Sequence, residues 1–223
     1  MAIIDTRIKF INAGFDYPNP EAEVVIVGIT PGKNQLENGY KSRDVIVASR
    51  EESLERKKTY AFKGLRENIS KMLDSVDVNK LLGIDKCETI WNKDFGKVDF
   101  TSLIKEAAYE YENKNGKINP FNDADKIVKS IKLSKRLEEG FVEDCKQYTK
   151  AKLFVACGHK VYNVLCGLRD KGIISVPVIA IAHPSKNNNI RVQFYQGNEE
   201  DSVRECQKDA EEAKTIINDL LKS

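Results

Sequence analysis

The stretch Val24–Gly32, reading VVIVGITPG, constrains the fold more than any other part of the 223-residue chain. Four β-branched residues, Val24 to Val27, run without a charge into Gly28. An uncharged run of that length ended by glycine is the pattern of a strand buried on both faces. Gly28 and Gly32 open backbone angles closed to other residues, and Pro31 fixes one φ and removes an N–H. In an open α/β sheet the loop after such a strand is where ligands bind. The plain alternative is a buried strand followed by an ordinary turn.

Glu23–Gly28 is therefore predicted as strand one, and three further runs repeat its character: Val98–Leu103 (VDFTSL), Leu153–Cys157 (LFVAC) and Val176–Ala182 (VPVIAIA). Helical stripes lie between and after them. They are Phe62, Leu65, Ile69 and Leu73; Leu137, Phe141, Cys145 and Tyr148; Val161, Val164, Leu165 and Leu168; and Val203, Cys206, Ala210, Ala213, Ile217 and Leu220. Strands alternating with helical crossovers predict an α/β fold, a three-layer α/β/α sandwich with a four-stranded parallel sheet, as one domain over 1–223. Residues 1–22, with Phe10, Phe15, Tyr17, Pro18 and Pro20, read as a short helix or extended arm ending in a turn. Lys33–Lys58 reads as partly helical and solvent-facing. Asp74–Gly96 is irregular, and so is the segment 104–135, which suits a lid or a substrate-gripping insertion.

No apolar run reaches the roughly 20 residues of a membrane span, and the N-terminus lacks a signal-peptide core, so the expected setting is cytoplasmic with no membrane partner. The five cysteines are scattered without a CxxC pair, which argues for thiols and against a disulfide framework or a metal site. No cofactor is expected. The net charge of +2 demands no nucleic-acid partner. Between Lys114 and Arg136, however, seven Lys/Arg stand against Asp123 and Asp125, either a solvated face or a phosphate-binding one.

Chemistry concentrates in two loops. Gly28–Gly32 follows strand one, and His183-Pro184-Ser185 follows strand four. In a parallel sheet both lie on the same side, over one cleft. His183 can donate to an anion developing on a ligand, and Ser185 can offer a hydroxyl and an N–H to a phosphate. The alternative for a lone histidine is a satisfied structural residue. His159, at a helix start, is given no role beyond a contact near the cap.

GITPG after strand one, with AHPS after strand four, resembles the uracil-DNA glycosylase superfamily, whose mismatch-specific and single-strand-selective branches carry Gly-X-Asn-Pro-Gly and His-Pro-Ser motifs. Thr101–Lys105 (TSLIK) resembles the family's second strand, and LFVACGHKVYNVL its third strand and following helix. The resemblance implies a monomeric DNA glycosylase that flips a base into a pocket and cleaves its N-glycosidic bond with water. It implies catalytic roles for Thr30 and His183, base contacts from Ile29, Ser102 and Tyr17 (or Phe15), and DNA-phosphate contacts from Gly32, Lys33, Ser185 and Lys186. Thr30 stands where the family carries a catalytic Asn or Asp, and a hydroxyl is no general base near neutral pH. The activating group then comes from Asp16, Asn34, Gln35 or an acid within 37–55. Ser102, in place of an amide, opens the pocket toward a modified or bulkier base. Two other readings compete: a non-catalytic DNA or modified-base binder of the same fold, and a flavodoxin-like phosphate-binding module, which lacks a GxGxxG or Walker lysine.

Overall fold

The computed structural model describes residues 8–36, 41–111, 118–185, 189–195, 197 and 204–222. Its strands are β1 (Ile8–Ile11), β2 (Val24–Gly28), β3 (Val98–Ser102), β4 (Ala107–Tyr111), β5 (Ile118–Pro120), β6 (Leu153–Cys157) and β7 (Val178–Ile181). Four of them form a parallel sheet in the order β3-β2-β6-β7. β2 is central, and all five of its residues are buried, as its uncharged composition requires. In register, Val24 faces Val98 and Leu153, and Gly28 faces Ser102.

The helices are α1 (Arg50–Tyr60), α2 (Arg66–Ser75), α3 (Val78–Leu81), α4 (Ala124–Ile127), α5 (Ile131–Arg136), α6 (Glu143–Cys145), α7 (His159–Asp170), α8 (Asn189–Phe194) and α9 (Arg204–Lys222). Strand alternation splits the core in two. Val24, Ile26, Phe100, Val155 and Ile179 pack with Ile69, Met72 and Leu73 of α2 and with Ala213 and Ile217 of α9. Val25, Val27, Phe154 and Ala156 pack on the opposite face with Val161, Leu165 and Leu168 of α7, and with Leu133 of α5 and Phe141. The predicted α/β/α sandwich is thus observed.

Several local expectations are corrected. Residues 8–11 are extended rather than helical, the second of the two alternatives, but pair as a strand, and the segment read as irregular supplies β4 and β5. Together these make a second, antiparallel sheet in the order β1-β4-β5. Its strands are short, and β1 pairs with β4 at the far end of a long loop of chain, Ile8 with Glu110, so local periodicity carried little signal. The helix read from Phe62 begins at Arg66. The helix read over Leu137–Tyr148 ends at Cys145 and passes through a π-helical segment at Leu137–Val142.

Lys33–Lys58 is not wholly solvent-facing either, because Lys57 of α1 is completely buried. Its Nζ donates to both oxygens of Asp99 on β3, at 2.8 and 3.0 Å. Tyr148 OH and the backbone N–H of Asn19 donate to Asp99 Oδ2 at 2.7 and 3.1 Å, and Phe100 N–H donates to Oδ1 at 2.9 Å. Every lone pair of the buried carboxylate therefore meets a donor, which is the condition for keeping a charge in a core.

Three cations of the basic run are paired, while Lys114 and Lys117 lie outside the described residues. Lys126 pairs with Glu110, Lys135 with Glu139 and Arg136 with Glu106. Lys132 lies over the ring of Phe10 and donates to Ile8 O. Among the described residues there is no disulfide, no cluster of three or more potential metal ligands, and no helix long and apolar enough to cross a membrane.

Candidate functional site

The Gly28–Gly32 loop leaves the C-terminal end of β2 and is fixed at once. Gly28 O accepts from Leu103 N–H, and Ile29 O from Ile104 N–H, both at 3.0 Å. Thr30 Oγ1 donates to Glu106 O at 2.6 Å and accepts from Ala108 N–H at 2.9 Å. Its one hydrogen is thus committed to the backbone at the start of β4. Thr30 is the clamp that fastens the parallel sheet's central loop to the second sheet. Gly32 and Lys33 follow, and Lys33–Gln35 is a 3-10 turn.

His183 follows β7 and sits against Gly158, the residue that ends β6. Gly158 has φ +101°, and a β-carbon there would lie 3.3 Å from His183 Cβ, so glycine is required twice over. Ser185 N–H lies 3.4 Å from His183 Nδ1, which makes Nδ1 the acceptor and places the ring hydrogen on Nε2. Burial pushes the imidazole pKa below its ordinary value. The ring is therefore neutral at physiological pH and presents one N–H donor. Asn68 Nδ2 of α2 donates to Pro184 O at 3.0 Å and anchors the loop from the other side.

Ile29, His183 and Ser185 come together on one cleft of about 390 Å³, with Gly158–Val161, Arg191 and Asp209 around it. Its floor includes Cys157, whose thiol burial pushes up to about 12, leaving it unreactive. At the rim Lys160 is bridged to Asp123 at 3.0 Å and Asp125 at 3.1 Å, tying the middle segment to the start of α7. These pairs raise the Lys160 pKa and lower that of Asp123.

Ser102 lies at the neighbouring strand end. A β-carbon at Gly28 would meet Phe62 Cζ at 3.4 Å and Ser102 Oγ at 3.5 Å, so Ser102 and Phe62 pack closely around the end of β2. Tyr17 does not line the cleft; its side chain is 37% exposed, and its N–H donates to Ser53 Oγ at 3.2 Å. Phe15 is buried in the core. Asp16 lines a separate cavity of about 220 Å³ with Lys105, Glu106 and Arg136, and its Oδ1 accepts from Asn12 Nδ2. The Gln35 side-chain oxygen accepts from Phe62 N–H, and Asn34 is exposed. Lys186 lies outside the described residues.

Sequence reasoning missed Phe62, Asn68 and Gly158 as parts of this arrangement. Phe62 was absorbed into a helical stripe. Gly158 carried a usable signal: a lone glycine between a buried strand and a helix. Asn68, a polar residue on an amphipathic helix, carried none.

No family model and no curated protein matches the chain. Among solved structures, the crystal structure of wild-type Pedobacter heparinus SMUG2 is similar, with a TM-score of 0.51 at 13% identity, covering 100% of this chain and 92% of that one. At that identity the likeness speaks for the fold.

Proposed function

We propose that this chain is a DNA glycosylase that acts on a flipped-out, modified or deaminated base. The observation that carries the reading is the neutral, N–H-donating His183, held over the same strand ends as the Gly28–Gly32 loop. The likeness to SMUG2, a glycosylase of the uracil-DNA glycosylase superfamily, supports it at the level of fold. In this reading the base is held over the end of β2, near Ser102 and Phe62, with Ile29 beside it and His183 reaching it from the cleft that Ile29 also lines. Departure of the base leaves an oxocarbenium-like sugar and an anionic base, and a neutral donor stabilises that anion without first gaining a proton. Gly32, Lys33, Ser185 and Lys186 serve the flanking phosphates. Thr30 contributes by fixing the loop, and Asp16, which lines a separate cavity, is not assigned to water activation. Tyr17, exposed beside Asp16 in the chain, is left as a contact to the bound strand.

A second reading, binding without catalysis, draws on the commitment of the Thr30 hydroxyl to Glu106 O and Ala108 N–H, which leaves no water-activating group on the loop itself. One experiment separates the two. Oligonucleotides carrying uracil, hypoxanthine, xanthine, a thymine mismatch or 5-hydroxymethylcytosine are incubated with the protein and read by alkali-induced strand cleavage. Cleavage at one base, lost in His183→Ala, supports the enzyme. Tight binding with no cleavage on any member supports the binder.

A further inference from the structure

Helix α1 ends in an unusual way. After the last helical turn a chain normally places glycine in the left-handed region, and that residue's N–H bonds back to a helix carbonyl. Here Ala61 caps the helix and Phe62 takes the left-handed position at φ +50°. An L residue with a large side chain adopts that conformation only under strain, and such residues persist where surrounding structure over-determines them. Two side chains replace the missing glycine motif. Phe62 N–H is diverted to Gln35 Oε1 at 2.9 Å. Arg66 satisfies the freed carbonyls, its Nε on Ala61 O at 2.9 Å and its Nη2 on Lys58 O at 2.8 Å.

The result of this departure is the position of one ring. Phe62 sits against Gly28 at the mouth of β2, edge-on to Phe100 at 6.2 Å. Phe100 in turn stacks on Trp91 at 4.3 Å, and Arg66 lies 4.9 Å over the Trp91 ring. Gln35 is buried and closes the 3-10 turn directly after Gly32. One side chain therefore joins the glycine loop to the ring packed at the end of β2. We infer that Gln35 is a positioning residue: by accepting the Phe62 N–H it holds the ring in register with the Gly28–Gly32 loop, so that ring and loop engage a base together. The inference rests on the glycosylase reading.

The test is a double-mutant cycle on base excision. The probes are single-stranded oligonucleotides bearing one uracil, hypoxanthine or 5-hydroxymethylcytosine, and the base cleaved by the wild-type chain is followed. Gln35→Ala lowers kcat/KM by about tenfold, the scale of coupling between contacting residues, and Gln35→Glu, which keeps an acceptor oxygen, recovers most of the loss. Phe62→Gly relieves the strained φ and removes the ring. In that background Gln35→Ala has no further effect on kcat/KM, because there is no ring left to position. Thermal melts of all five proteins separate folding losses from this pattern. If Gln35→Ala costs the same with and without the ring, Gln35 is only a structural contact and the inference fails, while the glycosylase reading stands. If the wild-type chain cleaves none of the probes, the reading and the inference fall together.

Discussion

On the glycosylase reading, Gly28→Ala asks where the base would sit. Gly28 ends β2 with an ordinary φ, so an added methyl group meets no backbone strain. Its β-carbon would stand 3.4 and 3.5 Å from Phe62 ring carbons and 3.5 Å from Ser102 Oγ, all van der Waals contacts. Replacing glycine at an unstrained site restricts the unfolded chain and stabilises by about 0.4–1 kcal/mol. For a chain of this size that is a Tm rise of roughly 1–4 °C. The same methyl projects toward Ser102 and Phe62 at the end of β2, where the glycosylase reading sets the edge of the base, and a reacting group displaced by about 1 Å loses on the order of 10²-fold in rate. The expected outcome is a protein at least as stable as wild type, by differential scanning fluorimetry, with kcat/KM for excision reduced by about two orders of magnitude. A stable Gly28→Ala protein that excises at the wild-type rate refutes the placement and moves the base to the 390 Å³ cleft over β6 and β7. A destabilised one shows that the packing argument itself is wrong.

Other outcomes follow from the same structure. Lys57→Met leaves the buried Asp99 charge with Tyr148, Asn19 and Phe100 as its remaining donors, and urea unfolding should show a loss of about 3 kcal/mol, the lower end for breaking a buried pair, with an unchanged m-value. Thr30→Val removes the hydroxyl and strands Glu106 O and Ala108 N–H, costing about 2 kcal/mol, whereas Thr30→Ser costs only a fraction of that in the same assay. Because the folded pKa of His183 is depressed, the unfolded chain takes up its proton first, so stability falls as pH drops below the ordinary value of about 6.5. His183→Gln should flatten that part of the stability profile. Wild-type excision should hold below pH 6.5 and decline only as the folded imidazole itself protonates.

The parallel sheet was readable because each of its strands is a contiguous apolar run. VVIVG and LFVAC need no knowledge of their partners to be recognised as buried on both faces. The second sheet was not, because IKFI and INP are short and gain their meaning only from pairing with Ala107–Tyr111. His183 and Ser185 could be singled out because a histidine directly after a buried strand is conspicuous. Thr30 could be singled out by position, but not its partners, since they are backbone atoms at the start of a strand with little local signal. Phe62 shows a further limit. A hydrophobic residue three before Leu65 fits a helical period, and nothing local reveals that its N–H is taken by Gln35, 27 residues away. Lys57 failed for a similar reason: within RKK it is one of several cations, and only the tertiary fold selects it for burial.

The Asp99 carboxylate also bears on how the molecule opens. Helix α1 is rich in charge and buries only Ser53 and Lys57 among its own residues, so by composition it should fray and reclose independently. Lys57 forbids that. Lifting α1 away separates an ammonium from a carboxylate that remains in the interior, so the helix cannot leave without disturbing β3, the Asn19 turn and Tyr148 together. Amide hydrogens in the second half of α1 should therefore exchange with solvent at the rate of the sheet. A helix that looks peripheral becomes part of the molecule's cooperative unit, and the residues that follow it, Phe62 included, inherit that rigidity.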